Sequence, residues 1–151
     1  MAQLPRIYLD ACALSRLTDT PAQLRVVLEA AAVEKILLQA RSRGLDWIAS
    51  SVLAVELMGI PDAQRRANLL ALIGLASRIQ YQNPAIAVRG KQLHALGYGQ
   101  FDALHLAAAE ESRCDWLLTT DDRFLRKAAR DTGQPSVRVA NPLDYLKTVQ
   151  P

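Results

Sequence analysis

Apolar residues fall along this chain in two rhythms. Ile7-Tyr8-Leu9, Trp47-Ile48-Ala49, Trp116-Leu117-Leu118-Thr119 and Val137-Arg138-Val139 are short runs that give way at once to polar or turn-forming residues. They read as strands, with Ile79-Gln80-Tyr81 as a weaker one. Between them lie longer stretches of helical character. One covers 21–43, with Thr20 as N-cap, Pro21 at the first helical position and Gly44 as the stop. Ser50 or Ser51 caps a helix carrying Glu56, which ends at Gly59-Ile60-Pro61. Asp62 caps a segment reaching Ala76, and 84–96 forms a helix that stops at Gly97-Tyr98-Gly99. Further helices carry Asp102 in a first turn and run on to Ser112, follow Asp121 to Asp131, and open at Asn141-Pro142. Strands alternating with helices predict an α/β domain around a mostly parallel sheet of four to five strands. With no repeat, low-complexity tract or linker, 1–151 reads as one domain.

Composition narrows the class. Half the residues are apolar and 22% are charged, the balance of an ordinary globular protein. No apolar run approaches the ~20 residues of a membrane span. The amino terminus meets its first strand too early for a signal peptide. Two cysteines, Cys12 and Cys114, do not make a disulfide framework, so a cytoplasmic setting is the expectation. They have no CxxC partner or histidine at ligand spacing, which argues against zinc.

Four acids change the picture: Asp10, Glu56, Asp102 and Asp121 each stand where a strand-like run passes into a turn or helix. A parallel sheet gathers such positions at its carboxyl edge, where ligands bind. Two carboxylates ~4 Å apart repel by about 4 kcal/mol at an effective dielectric near 20. Protons or a hard divalent cation would neutralise the group, and Mg²⁺ or Mn²⁺ favours such oxygen ligands. The net charge of +3 is compatible with a polyanionic partner. Arg123, Arg126, Lys127 and Arg130 recur at spacings of three and four, forming one basic helix face beside the acids.

These blocks together resemble the PIN-domain ribonucleases, most closely the VapC-like toxins of type II toxin–antitoxin systems. The resemblance runs through Tyr8-Leu9-Asp10, Glu56, Phe101-Asp102-Ala103-Leu104-His105-Leu106-Ala107-Ala108-Ala109, Leu117-Leu118-Thr119-Thr120-Asp121-Asp122-Arg123-Phe124 and Asn141-Pro142-Leu143-Asp144-Tyr145-Leu146. It implies a three-layer α/β/α sandwich whose acids bind Mg²⁺ or Mn²⁺ and hydrolyse RNA, leaving 5′-phosphate and 3′-hydroxyl ends. By position, Asp10, Glu56, Asp102 and Asp121 become the catalytic and metal-holding quartet. Thr119 matches a hydroxyl position found just before the last acid, whereas Asp122 has no counterpart in the family pattern and reads as an outer acid or the helix N-cap; Arg123 and Arg126, on the basic helix face beside the acids, are expected to contact RNA. A homodimer and a small neutralising antitoxin are the partners implied. The family often places a small polar residue two positions after the first Asp, where Cys12 stands here.

Rival readings are weaker. A dehalogenase-type phosphatase needs a second Asp where Cys12 lies, and a receiver-type phosphoacceptor needs an acidic pair and a lysine that are not evident. A standalone PIN nuclease in RNA processing and a non-catalytic PIN-like binding module remain as alternatives. Taken singly, Asp10 is a turn or cap residue and Asp102 a first-turn acid favoured by the helix dipole. His105, one turn after Asp102, reads as a packed structural histidine, and Trp47 and Trp116 as core or strand-end packing.

Overall fold

The computed structural model describes residues 3–149. Residues 1–2 and 150–151 of the expected 1–151 unit lie outside the described residues. In chain order the elements are β1 (Arg6–Leu9), α1 (Ala11–Ser15), α2 (Leu24–Arg41), β2 (Asp46–Ser50), α3 (Ser51–Met58), α4 (Ala63–Ile73) and β3 (Arg78–Gln80). They continue with α5 (Pro84–Ala95), α6 (Gln100–Glu111), β4 (Trp116–Leu118), α7 (Asp122–Ala129), β5 (Arg138–Ala140) and α8 (Pro142–Val149). The strands make one sheet in the order β3-β2-β1-β4-β5, and every pairing is parallel. The chain builds outward from β1 to β3, then returns to the other side of β1 for β4 and β5. The crevice beyond β1 and β4 is therefore the topological switch point, where open α/β sheets bind ligands.

Side-chain alternation divides the core. Ile7 and Leu9 join Trp47, Ala49, Trp116 and Leu118 on one face, packed by Leu14, Val33, Ile36, Leu53, Leu57, Leu69 and Tyr145. Tyr8, Ile48 and Leu117 face the other way, against Ile86, Leu93, Leu106 and Phe124. Helices thus cover both faces, and the expected α/β/α sandwich is the observed architecture. Trp47 and Trp116 are both core residues.

Several boundaries differ from the sequence expectation for local reasons. The polar turn expected after Asp10 is the short helix α1, because the Asp10 carboxylate accepts the Ala13 amide at 2.9 Å and caps it. Helix α2 opens at Leu24, not Pro21, since the Ala22 amide first closes a turn onto the Thr20 carbonyl at 2.8 Å. Beyond its end Arg43, not Gly44, takes the left-handed conformation, with φ 63°. The helix after Asp62 stops at Ile73, with Gly74 at the C-cap. Of the two candidate caps for α3, Ser50 is the one used.

One buried acid lies outside the expected cluster. Glu29 on α2 is 1% exposed and accepts from Arg16 at 2.9 Å, Arg25 at 3.2 Å and the Asn141 amide. Arg25 also grips Asp122 with both terminal nitrogens and reaches the Thr120 carbonyl at 3.0 Å. This network ties α1, α2 and the start of α8 to the turn that carries Asp121. Glu29→Ala should destabilise the protein by about 2–3 kcal/mol, below the usual cost of breaking a buried pair because both guanidiniums can reach water. Urea melts of the two proteins check this, and a change under about 0.5 kcal/mol would refute it.

Candidate active site

Asp10, Asp102 and Asp121 owe their places to the end of a strand or the start of a helix, whereas Glu56, expected at such a passage, stands in the last turn of α3. Asp10 directly follows β1 and its amide donates to the Leu118 carbonyl at the end of β4, so the acid sits across the switch point. Its side chain is 1% exposed. Asp121 follows β4 and caps α7, accepting the Arg123 amide at 2.9 Å and the Phe124 amide at 3.3 Å. Asp102 lies in the first turn of α6 above Gly99, where a β-carbon would come within 3.2 Å of its Oδ2. Glu56 projects from α3, one strand further along the same edge.

Electrostatics show that the four share one neighbourhood. Burial pushes the Asp10 carboxyl up to about 7, against the opposing effects of His105, the Thr119 hydroxyl and the Ala13 amide, and Asp102 adds to the rise. Burial also raises Asp102, to about 6, and Asp121 and Glu56 add repulsion that His105 and Arg123 partly offset. Cys12 records all four acids at once. Its thiol is driven far above its usual range by burial, then by Asp10, Glu56, Asp121 and Asp102. It is half-buried and held in the thiol form, which argues against a nucleophilic thiolate.

Two cavities flank the cluster, and Asp121 lines both. One, about 440 Å³, is bordered by Cys12, Arg16, Glu56 and Thr120. The other, about 570 Å³, has Asp102 and Asp121 at one end and Arg123, Arg126, Lys127 and Arg130 along α7. The basic face expected from residue spacing therefore borders the acids directly.

The supporting residues divide. Thr119 is fully buried and its hydroxyl accepts the Asp121 amide at 3.1 Å. Asp122 is not the helix cap, which is Asp121, and its carboxylate is held bidentately by Arg25 at 2.8 and 2.9 Å. Two contacts were not anticipated. His105 Nε2 lies 2.7 Å from Glu56 Oε1, so the packed histidine also touches one of the acids. His94, which has no motif around it, bonds the Tyr98 carbonyl and lines the larger cavity. The spacing of His105 from Asp102 hinted at a shared face, whereas no sequence signal pointed from His105 to Glu56.

A cation of the Mg²⁺ or Mn²⁺ type fits these donors. They are oxygens, two of them carry unusually raised pKa values, and the nearby thiol is neutral. Among the described residues no three acidic, histidine or cysteine side chains already stand at caging distance. Mg²⁺ tolerates this, because it keeps several waters and takes only one or two carboxylates plus substrate phosphate.

An all-parallel sheet with carboxylates at its switch point and a cationic groove alongside defines the class: an α/β sandwich with a charged cleft at the carboxyl edge of its sheet. The chain belongs to the PIN domain family, whose profile matches residues 7–130. PIN domains are typically nucleases and generally use divalent metal ions. A comparison with curated proteins found no match. No helix among the described residues is long and apolar enough to cross a membrane.

Raised carboxyl pKa values make a definite stability prediction. In chelator, folded Asp10 holds its proton up to about pH 7, whereas in the unfolded chain it ionises near pH 4. The folded state then binds more protons across this window, so Asp10 makes stability fall as pH rises from about 4 to 7. Asp10→Asn keeps the cap and removes the titration. Its stability relative to wild type should climb over that interval by an amount on the order of 3–4 kcal/mol. Urea melts at several pH values read the difference, and a flat one would show that Asp10 is not a strained acid.

Proposed function

We propose that this protein is a metal-dependent endoribonuclease and the toxin of a toxin–antitoxin pair. The observation that carries the catalytic part is the convergence of Asp10, Glu56, Asp102 and Asp121 on one neighbourhood, with a cationic wall beside it. Asp10, Glu56, Asp102 and Asp121 would hold a Mg²⁺ or Mn²⁺ ion beside the phosphodiester, and one of these carboxylates would orient or deprotonate the attacking water. When bound, the ion neutralises the carboxylates, polarises a phosphoryl oxygen and lowers the pKa of a coordinated water. Arg123 and Arg126 hold flanking RNA phosphates in the larger cavity. Thr119 fixes the backbone of Asp121, and Asp122 acts at a distance by anchoring that turn to Arg25. No protein nucleophile is needed.

The toxin assignment, a neutralising antitoxin and a homodimer rest on the resemblance of the ordered motif blocks to VapC-like toxins. The antitoxin would plug the acidic pocket with a basic or aromatic side chain. A standalone nuclease in RNA processing is the alternative, and a short DNA-binding protein encoded beside this chain favours the toxin. A non-catalytic module is the reading that Cys12 keeps open.

Asp10→Asn and Asp102→Asn should each abolish RNA cleavage while leaving the circular dichroism spectrum unchanged. EDTA should stop the wild-type protein and Mg²⁺ or Mn²⁺ restore it; turnover that persists in EDTA would remove the ion from the mechanism. Arg123→Ala or Arg126→Ala should flatten the dependence of log RNA affinity on log salt by roughly 0.7 for each phosphate that is no longer neutralised. An unaltered slope would return these arginines to a merely solvated helix face.

A further inference from the structure

His105 sits in the middle of a closed chain of hydrogen bonds that the nuclease chemistry leaves unused. Its Nε2 meets Glu56 Oε1 at 2.7 Å and its Nδ1 meets the Tyr8 hydroxyl at 2.6 Å. That hydroxyl lies 2.6 Å from Ser50 Oγ, which accepts the Leu53 amide at 3.0 Å. Tyr8 and Ser50 are fully buried and His105 is 1% exposed. Only the Glu56 end reaches toward solvent, its side chain 29% exposed.

Donor counting fixes the two ends of this chain. The Leu53 amide can only donate, so Ser50 Oγ accepts there, and the Glu56 carboxylate accepts from His105 Nε2–H. Between them the Ser50 and Tyr8 hydroxyls and His105 Nδ1 satisfy one another, so no buried polar atom of this hydrogen-bonded chain is left unpaired. The chain starts on the first turn of α3 and returns to α3 at Glu56. It passes through the end of β2, then β1 and α6, so Glu56 is braced by three elements besides its own helix.

We propose that His105 is a positioning residue for Glu56: anchored at Nδ1 by the Tyr8 hydroxyl, itself beside Ser50, it engages Oε1 through Nε2 and leaves Oε2 for the carboxylate cluster. This rests on the nuclease reading of the four acids and adds to it a reason for the orientation of one of them. Such outer partners of metal-site residues commonly govern affinity through geometry. A histidine that merely fills the core would also have its buried nitrogens paired, but its replacement would then be felt in stability and not in the affinity for a cation.

The two amide replacements separate these roles. Glutamine places its nitrogen where Nε2 lies and keeps the donor to Glu56, whereas asparagine matches the Nδ1 end and loses it. Mn²⁺ binding to the full chain, followed by the electron paramagnetic resonance of free Mn²⁺, should stay within about threefold of wild type for His105→Gln and weaken about tenfold or more for His105→Asn. RNA cleavage at saturating Mn²⁺ should split the same way, with the loss in kcat. If His105→Asn fails to fold, Tyr8→Phe, which deletes only the hydroxyl, should weaken Mn²⁺ binding several-fold. Equal Mn²⁺ affinity in both amide variants, or an unchanged affinity in Tyr8→Phe, overturns the positioning role and leaves the nuclease reading standing. A wild-type protein with no Mn²⁺ site that Asp10→Asn removes overturns both.

Discussion

Mutual repulsion among carboxylates held away from water shapes this molecule. Asp10 is the extreme case: it ends the central strand, caps the helix that follows, and is almost wholly buried. Burial alone pushes its carboxyl toward neutrality, and Asp102 pushes it further. Among the described residues His105 opposes the rise, and no arginine or lysine is among the leading influences on it. Nearby arginines are committed elsewhere, Arg16 and Arg25 to Glu29 and Arg25 again to Asp122. A group left so short of positive charge is suited to take up a cation.

The scaffold holds the acids against that repulsion mainly through backbone contacts. One oxygen of Asp10 and one of Asp121 are fixed by amides at the starts of α1 and α7. The Thr119 hydroxyl also acts on the Asp10 carboxyl, so that acid is held from more than one side. Glu56 has no cap to make, and the histidine relay serves instead. The Arg25 contacts with Thr120 and Asp122 then fasten the Asp121 turn to α2. Local stability and chemical readiness thus come from the same few bonds.

Much of this was legible in the sequence. Short apolar runs before Asp10, Asp121 and the Ser50 cap located the strands, and their alternation with helices implied a parallel sheet. Asp10, Asp102 and Asp121 were visible because strand ends and the helix starts beside them converge in such a sheet, whereas Glu56 reaches the same edge from the last turn of α3. What periodicity could not reveal was anything that depends on pairing across distant segments. The helix after Asp10 is too short to show a period, and the true start of α2 depends on a turn at Thr20. The Glu29 network joins residues 13 and 112 positions apart, so no local pattern carries it. The bond from His105 to Glu56 spans 49 positions and needs β1 and α3 in place before it exists. Even Asp122, adjacent to a recognised acid, points to Arg25 rather than into the cluster, a choice fixed by α2.

The central claim is that these carboxylates are kept under-neutralised so that one divalent cation can sit among them. A crystal of the wild-type protein soaked in Mn²⁺ near pH 7.5 tests it most directly, through the anomalous difference map. The account predicts a strong peak within coordination distance of Asp10 and Asp102, at about 2.0–2.2 Å from their oxygens, with waters completing the shell. A map with no peak among the four acids, or with its principal peak elsewhere on the surface, would contradict it.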